Sequence, residues 1–192
     1  MATTPVGFSV PNCLEAMMAI EADLAELTAD LTEGQFHAPS RAGGWSIGHC
    51  IEHLTLTGNA FLAKWDAALK PPAPSSNDRF FAYSWWQRRI LEFAEPPYLV
   101  RTKTTKPFVP YLRRPKQETV ARFLKMHGDI AARVSASQGF DASAIKVQSP
   151  FVSWIRYPLG MSFDLALAHE RRHLWQARQV QRQFLQQCLE SV

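Results

Sequence analysis

Two histidines four residues apart, His169 and His173, lie in the run Ala168-His169-Glu170-Arg171-Arg172-His173-Leu174-Trp175-Gln176. On an α-helix, residues at this spacing stand one above the other on one face, so both imidazoles can reach one metal ion. Neutral imidazole is a good ligand for zinc, nickel or iron. A third candidate, His53, lies upstream in another helical stretch, sharing a stripe with Cys50, Leu54, Thr57, Phe61 and Trp65. A histidine on such a stripe is ordinarily a buried ring with a hydrogen-bond partner; the downstream pair makes it a candidate ligand. His49, one turn before His53, could join or replace it, although a place in the first turn favours contact with water. His37 falls in a loop and His127 on a further helix, and neither has a partner at ligand spacing.

The letters His169-Glu170-Arg171-Arg172-His173 also fit the zinc-protease pattern His-Glu-x-x-His. No third ligand follows shortly downstream, and the two arginines could pair with Glu170, so the protease reading ranks low. Glu52 and Glu170 adjoin the candidate ligands in sequence, but helical neighbours point about 100° apart. Neither is therefore a safe choice as general base. Gln176, one turn past His173, is better placed to orient a ligand or a substrate.

Four long helical patterns must position these residues. The first runs from about Asn12 to Leu31. Asn12 and Glu15 resemble a capping box, Leu14, Met17, Met18, Ile20 and Leu24 form an apolar face, and Gly34 serves as the stop. The second runs from Ile47 to about Leu69 behind the N-cap Ser46. The third begins at Pro115 and runs to about Ser137, with Val120, Phe123, Leu124, Ile130 and Val134 inward. The fourth runs from about Ser162 to Leu189, with Ala166, His169, His173, Ala177, Val180, Phe184 and Cys188 on one stripe. Residues 70–114 form a Pro-rich connection with a short helix expected near Ser84–Phe93, and its many aromatics suggest packing. Residues 138–160 form a second long connection. This pattern reads as a single all-α domain over residues 1–192, a four-helix bundle with long connections between helices 2 and 3 and between helices 3 and 4.

Composition narrows the class. At 192 residues the chain can bury one sizeable core. No apolar run approaches the roughly 20 residues that span a bilayer, and the N-terminus lacks a signal-peptide pattern, so the expected location is cytoplasmic, with no membrane partner. Cys13, Cys50 and Cys188 are odd in number and far apart, which argues against disulfides and zinc knuckles. A net charge of +4 is too mild for a nucleic-acid binder. The basic residues do cluster at Arg101, Lys103, Lys106, Arg113, Arg114 and Lys116, and again at Arg171, Arg172, Arg178 and Arg182. They read as a solvated surface, or as a rim that attracts a small anion.

The run Trp45-Ser46-Ile47-Gly48-His49-Cys50-Ile51-Glu52-His53-Leu54 resembles the start of the second helix in the DinB/YfiT-like superfamily. Pro150-Phe151 through Trp154, followed by His169 to Gln176, resembles that family's final helix. The resemblance implies an up-down-down-up bundle, commonly a homodimer. It also implies a divalent metal held by His53, His169 and His173; beside them His49 is an extra ligand or an outer-sphere partner, and Gln176, by its spacing, an outer-sphere or substrate-orienting group. The activity it implies is metal-dependent hydrolysis, or transfer of a low-molecular-weight thiol such as bacillithiol or mycothiol, on an unknown small molecule. His49 departs from the Gln or Glu expected there. A non-catalytic binding or dimerisation module, its metal structural or absent, is the alternative.

Overall fold

The computed structural model describes residues 6–41, 43–69, 80–97, 103–111 and 114–190, with side chains as far as residue 184. In chain order the elements are β1 (Gly7–Phe8), α1 (Val10–Thr28), α2 (Glu33–His37), α3 (Ile47–Ala68), β2 (Phe81–Ala82), α4 (Trp85–Ala94), a 3-10 turn (Lys106–Phe108), α5 (Lys116–Ala136), β3 (Lys146–Gln148), β4 (Arg156–Pro158) and α6 (Leu159–Glu190). The two strand pairs are short and antiparallel: Phe8 faces Phe81, and Val147 faces Tyr157. The protein is mostly helical, as expected. Among the described residues no helix is long and apolar enough to cross a membrane.

The four long helices build the core. Helix α3 packs against both α5 and α6, and α1 also packs against both. Leu24, Leu27, Ile51, Leu54, Phe61, Trp65, Phe123, Ile130, Phe163 and Leu174 are fully or almost fully buried between them. Gly58 lets α5 come close to α3, because a Cβ there would stand 2.1 Å from Met126 Sδ. Trp65 Nε1 donates to Ser162 Oγ at 2.8 Å and ties the end of α3 to the start of α6.

Helix α3 begins where its sequence says it should. The buried Ser46 hydroxyl accepts from His49 N at 3.2 Å, and the His49 ring reaches back to the Ser46 amide. The expected stripe Cys50, His53, Leu54, Thr57, Phe61 and Trp65 is buried throughout. Cys13 is also buried; the side chain of Cys188 lies outside the described residues.

Helix α1 differs from expectation at both ends. Its N-cap is Ser9, which accepts from Asn12 N, and Pro11 fits the first turn, where its missing N–H would have no partner. Met18, expected inward, is 70% exposed. Gly34 is not the stop: it lies in α2, capped by the reciprocal Thr32/Gln35 box. Helix α6 starts at Leu159, directly after β4. The β3–β4 hairpin lies in the second long connection, where no strand was expected, its strands too short to reveal alternation.

The aromatics of the 70–114 connection divide. Tyr83 is buried and its hydroxyl donates to Asp164 at 2.6 Å; Arg171 Nε donates to Glu95 Oε2 at 2.9 Å. These two bonds bolt both ends of α4 onto α6. Only Gln87 and Leu91 of α4 are buried, so Trp85, Trp86 and Phe93 face outward rather than packing. Tyr98 lies outside the described residues. The basic clusters are mostly tied down: Lys116 Nζ donates to the Leu31 carbonyl, Arg114 pairs with Glu52 and Glu118, and Arg178 pairs with Asp23 and Glu26. Arg101 and Arg113 are also outside the described residues.

Removing the α3 cap should loosen the helix that carries His53. Ser46→Ala is expected to lower stability by about 1 kcal/mol in urea denaturation, with a native-like circular dichroism spectrum.

Candidate metal centre

His53 projects from α3, and His169 and His173 from α6. Their ligand-capable nitrogens all lie within 4.8 Å of one another. His53 Nε2 and His169 Nε2 are 3.1 Å apart. Two nitrogens on a tetrahedral ion with bonds of about 2.0–2.1 Å would stand roughly 3.3–3.4 Å apart, so the rings are already near ligating separation. The ring centroids of His53 and His173 are 4.5 Å apart, and those of His169 and His173 are 4.6 Å apart. The helix-face argument thus holds: the i,i+4 pair converges on the third histidine.

Hydrogen bonds set the orientation of two rings. His53 Nδ1 is 2.7 Å from the Phe108 carbonyl oxygen, which can only accept, so Nδ1 carries the proton and Nε2 presents its lone pair. His173 Nδ1 is 3.0 Å from Gln176 Oε1, which directs its Nε2 in the same way. Outer partners of this kind orient metal-ligating histidines generally. Gln176 thus lies against the His173 ring. His49 does not join the group: its Nδ1 is engaged 2.7 Å from Ser46 Oγ at the start of α3.

All three rings are held neutral. Burial lowers His53, with the Phe108 carbonyl opposing. Burial pushes His169 down to about 3, with His53 and Arg172 adding to the effect. His173 falls well below its ordinary value through burial, then through His169, His53 and Arg172, with Gln176 opposing. Neutral imidazole is the ligating form, so the rings do not have to shed protons at neutral pH to bind an ion.

Aromatic rings wall the group. Trp45 lies 4.8 Å from the His53 ring and 5.8 Å from that of His173, and Phe151 lies 5.7 Å from His169. Phe108, whose carbonyl orients His53, packs edge-on against Phe151 at 5.2 Å. Neither Phe108 nor Phe151 was marked by the sequence as part of the site, since both sit in connections without regular periodicity.

A second polar cluster was also missed. His127 of α5 is fully buried; its Nδ1 is 3.1 Å from Glu170 Oε2, and its Nε2 is 3.3 Å from the Met17 carbonyl oxygen. Burial pulls this ring down, but Glu170 and Glu21 outweigh it and His127 sits above its ordinary value. Glu170 does not pair with Arg171 or Arg172 as its sequence neighbours suggested. It points into the core, and Arg171 goes to Glu95. The signal was present: Phe123, His127, Ile130 and Val134 share one helical stripe, as His53 does with its neighbours.

Fold and site together define a class of protein, a helical bundle that gathers three histidines where they could hold a metal ion. A family model described as the DinB superfamily matches residues 18–177, and the chain belongs to that superfamily. The solved structure of YfiT from Bacillus subtilis, described as a probable metal-dependent hydrolase with an unusual four-helix bundle topology, is similar in fold. It is 16% identical with a TM-score of 0.59, over 91% of this chain and 87% of that one. No curated protein matches the chain.

Two outcomes follow. His127→Leu or Glu170→Leu alone strands a buried partner and should cost about 3–5 kcal/mol in urea denaturation; the double substitution should recover most of that loss. Second, the depressed rings make the metal-free protein acid-sensitive. Below the unfolded-state value near 6.5, the unfolded chain takes up protons that these folded rings refuse, so each contributes a loss of stability as pH falls. His127, raised instead, works in the opposite sense. The drop between pH 7 and pH 5 should therefore be shallower in His169→Gln than in the parent, by up to roughly 1.4 kcal/mol per pH unit.

Proposed function

We propose that the chain binds one divalent ion through His53, His169 and His173 and acts as a metal-dependent hydrolase on a small molecule. The observation that supports this reading is the convergence of three neutral imidazoles from two helices. Three neutral ligands fit a catalytic site better than a closed structural one, because the ion keeps its charge and an open position. When bound, such an ion supplies Lewis acidity and brings the pKa of a water toward 7. Zinc, nickel and iron all suit this donor set.

The chain's own residues do the rest. The Phe108 carbonyl and Gln176 hold two rings in ligating tautomers, and Trp45 and Phe151 limit the access of water. The description of YfiT as a probable metal-dependent hydrolase supports the same reading. An up-down-down-up helix order within one domain is part of the proposal; α1 and α3 each packing against both α5 and α6 is consistent with it.

Elemental analysis of untagged protein should find about one equivalent of divalent metal in the parent and a large loss in His53→Ala. Hydrolysis of small ester and amide substrates should disappear on chelation and return with added metal. Full metal content in His53→Ala would discard the three-histidine centre. Stoichiometric metal without hydrolysis would favour a thiol transferase or a non-catalytic module.

A further inference from the structure

A partly open cavity of about 270 Å³ lies where β1 and the start of α1 meet Phe80 and the turn that follows α5. Its walls include Phe8, Val10, Phe80, Phe140 and Ala142, together with the side chains of Ser9 and Ser137. None of these residues belongs to the histidine group. Phe8 joins the cavity to the core by stacking on Phe163 at 5.7 Å. Phe163 comes six residues before His169 on α6, about 9 Å along the helix, so cavity and histidines are separate features.

Backbone geometry sets two of the rings. Phe80 is 54% exposed, so its own burial does not account for its place. It lies over Gly7, where a Cβ would stand 2.5 Å from Phe80 Cζ and 2.4 Å from the Phe81 carbonyl oxygen. Only a glycine leaves that room, and the pairing of Gly7 with Ala82 and of Phe8 with Phe81 fixes the strand on either side. Phe140 is half-buried and ends a turn in which its N–H donates to the Ser137 carbonyl at 3.0 Å. Gly139 takes φ +83° in that turn, a conformation that favours glycine. Phe8, Val10 and Ala142 supply the buried part of the wall.

Polarity narrows what the cavity can take. None of its lining residues is charged. The Ser137 hydroxyl donates to the Val134 carbonyl at 2.6 Å, and the Ser9 hydroxyl accepts from Asn12 N at 3.3 Å. Both are committed to the ends of their own helices. An ion entering here would give up its water and meet no opposite charge. Apolar space behaves otherwise: a cavity of about 150 Å³ already admits benzene. We propose that this cavity is a binding site for a small uncharged molecule with a single apolar ring, held against Phe8, Phe80 and Phe140. The site is independent of the metal-binding reading.

The test titrates the full chain with anisole, and with benzoate as its charged counterpart, following the backbone amide signals by NMR. Anisole should bind with a Kd of about 1 mM or tighter and shift signals around Gly7, Phe80, Phe140 and Ala142. Benzoate should bind at least about tenfold more weakly. Ala142→Phe fills the cavity and should abolish binding. Phe80→Ala alters an exposed ring, should weaken anisole about tenfold, and carries the test should Ala142→Phe not fold. No binding by the parent, equal binding of the two probes, or undiminished binding in Phe80→Ala overturns the proposal. Shifts centred on Trp45 and His53 place the ligand at the histidines and overturn it too. Sedimentation checks a further occupant: a parent dimer that Phe80→Ala dissociates has a second copy over the cavity, which also overturns the small-molecule site.

Discussion

Helix α6 cannot aim His169 and His173 at α3 without also aiming Glu170, and at about 100° per residue it aims Glu170 into the core. A lone carboxylate there would carry a large desolvation penalty. The bundle meets it with His127 from α5, whose other nitrogen is satisfied by the Met17 carbonyl of α1. Three helices are thereby tied to one rotation of α6. Any rotation that relieved Glu170 would also swing the two histidines away from His53, so the buried pair and the histidine cluster are two consequences of one helix orientation.

The histidine cluster depends on burial in a different way. Water would let the rings titrate near their ordinary values. Enclosure by Trp45, Phe151 and their own mutual contact depresses all three, which keeps the nitrogens in the ligating form. Enclosure alone does not say which nitrogen bears the proton. The Phe108 carbonyl settles that for His53, and it comes from a single 3-10 turn in a long connection. An irregular segment, rather than any of the four long helices, thus sets the tautomer of His53.

Periodicity made the helices and the ligand face legible. The spacing of His53 among Cys50, Leu54 and Phe61 placed it inward, and the i,i+4 spacing paired His169 with His173. Local chemistry also fixed Ser46 as a cap. What periodicity could not reach was anything decided by contacts between distant segments. Phe108 and Phe151 become part of the site only because their connections fold back over α3 and α6. Trp85, Trp86 and Phe93 read as packing residues by type, yet α4 is one short helix on the outside of the bundle and has only one side to bury. The Ser9 cap was missed because Asn12 and Glu15 also resemble a capping box, although Pro11 in the first turn forfeits no hydrogen bond.

The placement of the carboxylates decides what the centre can be. The sequence His169-Glu170-x-x-His173 has the letters of a zinc-protease helix, in which the glutamate serves as the base. Here Glu170 is buried against His127 on the core side of α6, one residue's rotation away from the ligand face. Glu52 stands in the same relation to His53: it is buried, and one oxygen pairs with Arg114 at 3.2 Å. Each acidic neighbour of a candidate ligand is thus turned aside, Glu170 towards the His127 ring of α5 and Glu52 towards Arg114 in the segment leading into α5. Neither carboxylate faces the histidine cluster. On the proposed metal-binding reading, a base would therefore have to come from what the centre binds and not from Glu52 or Glu170.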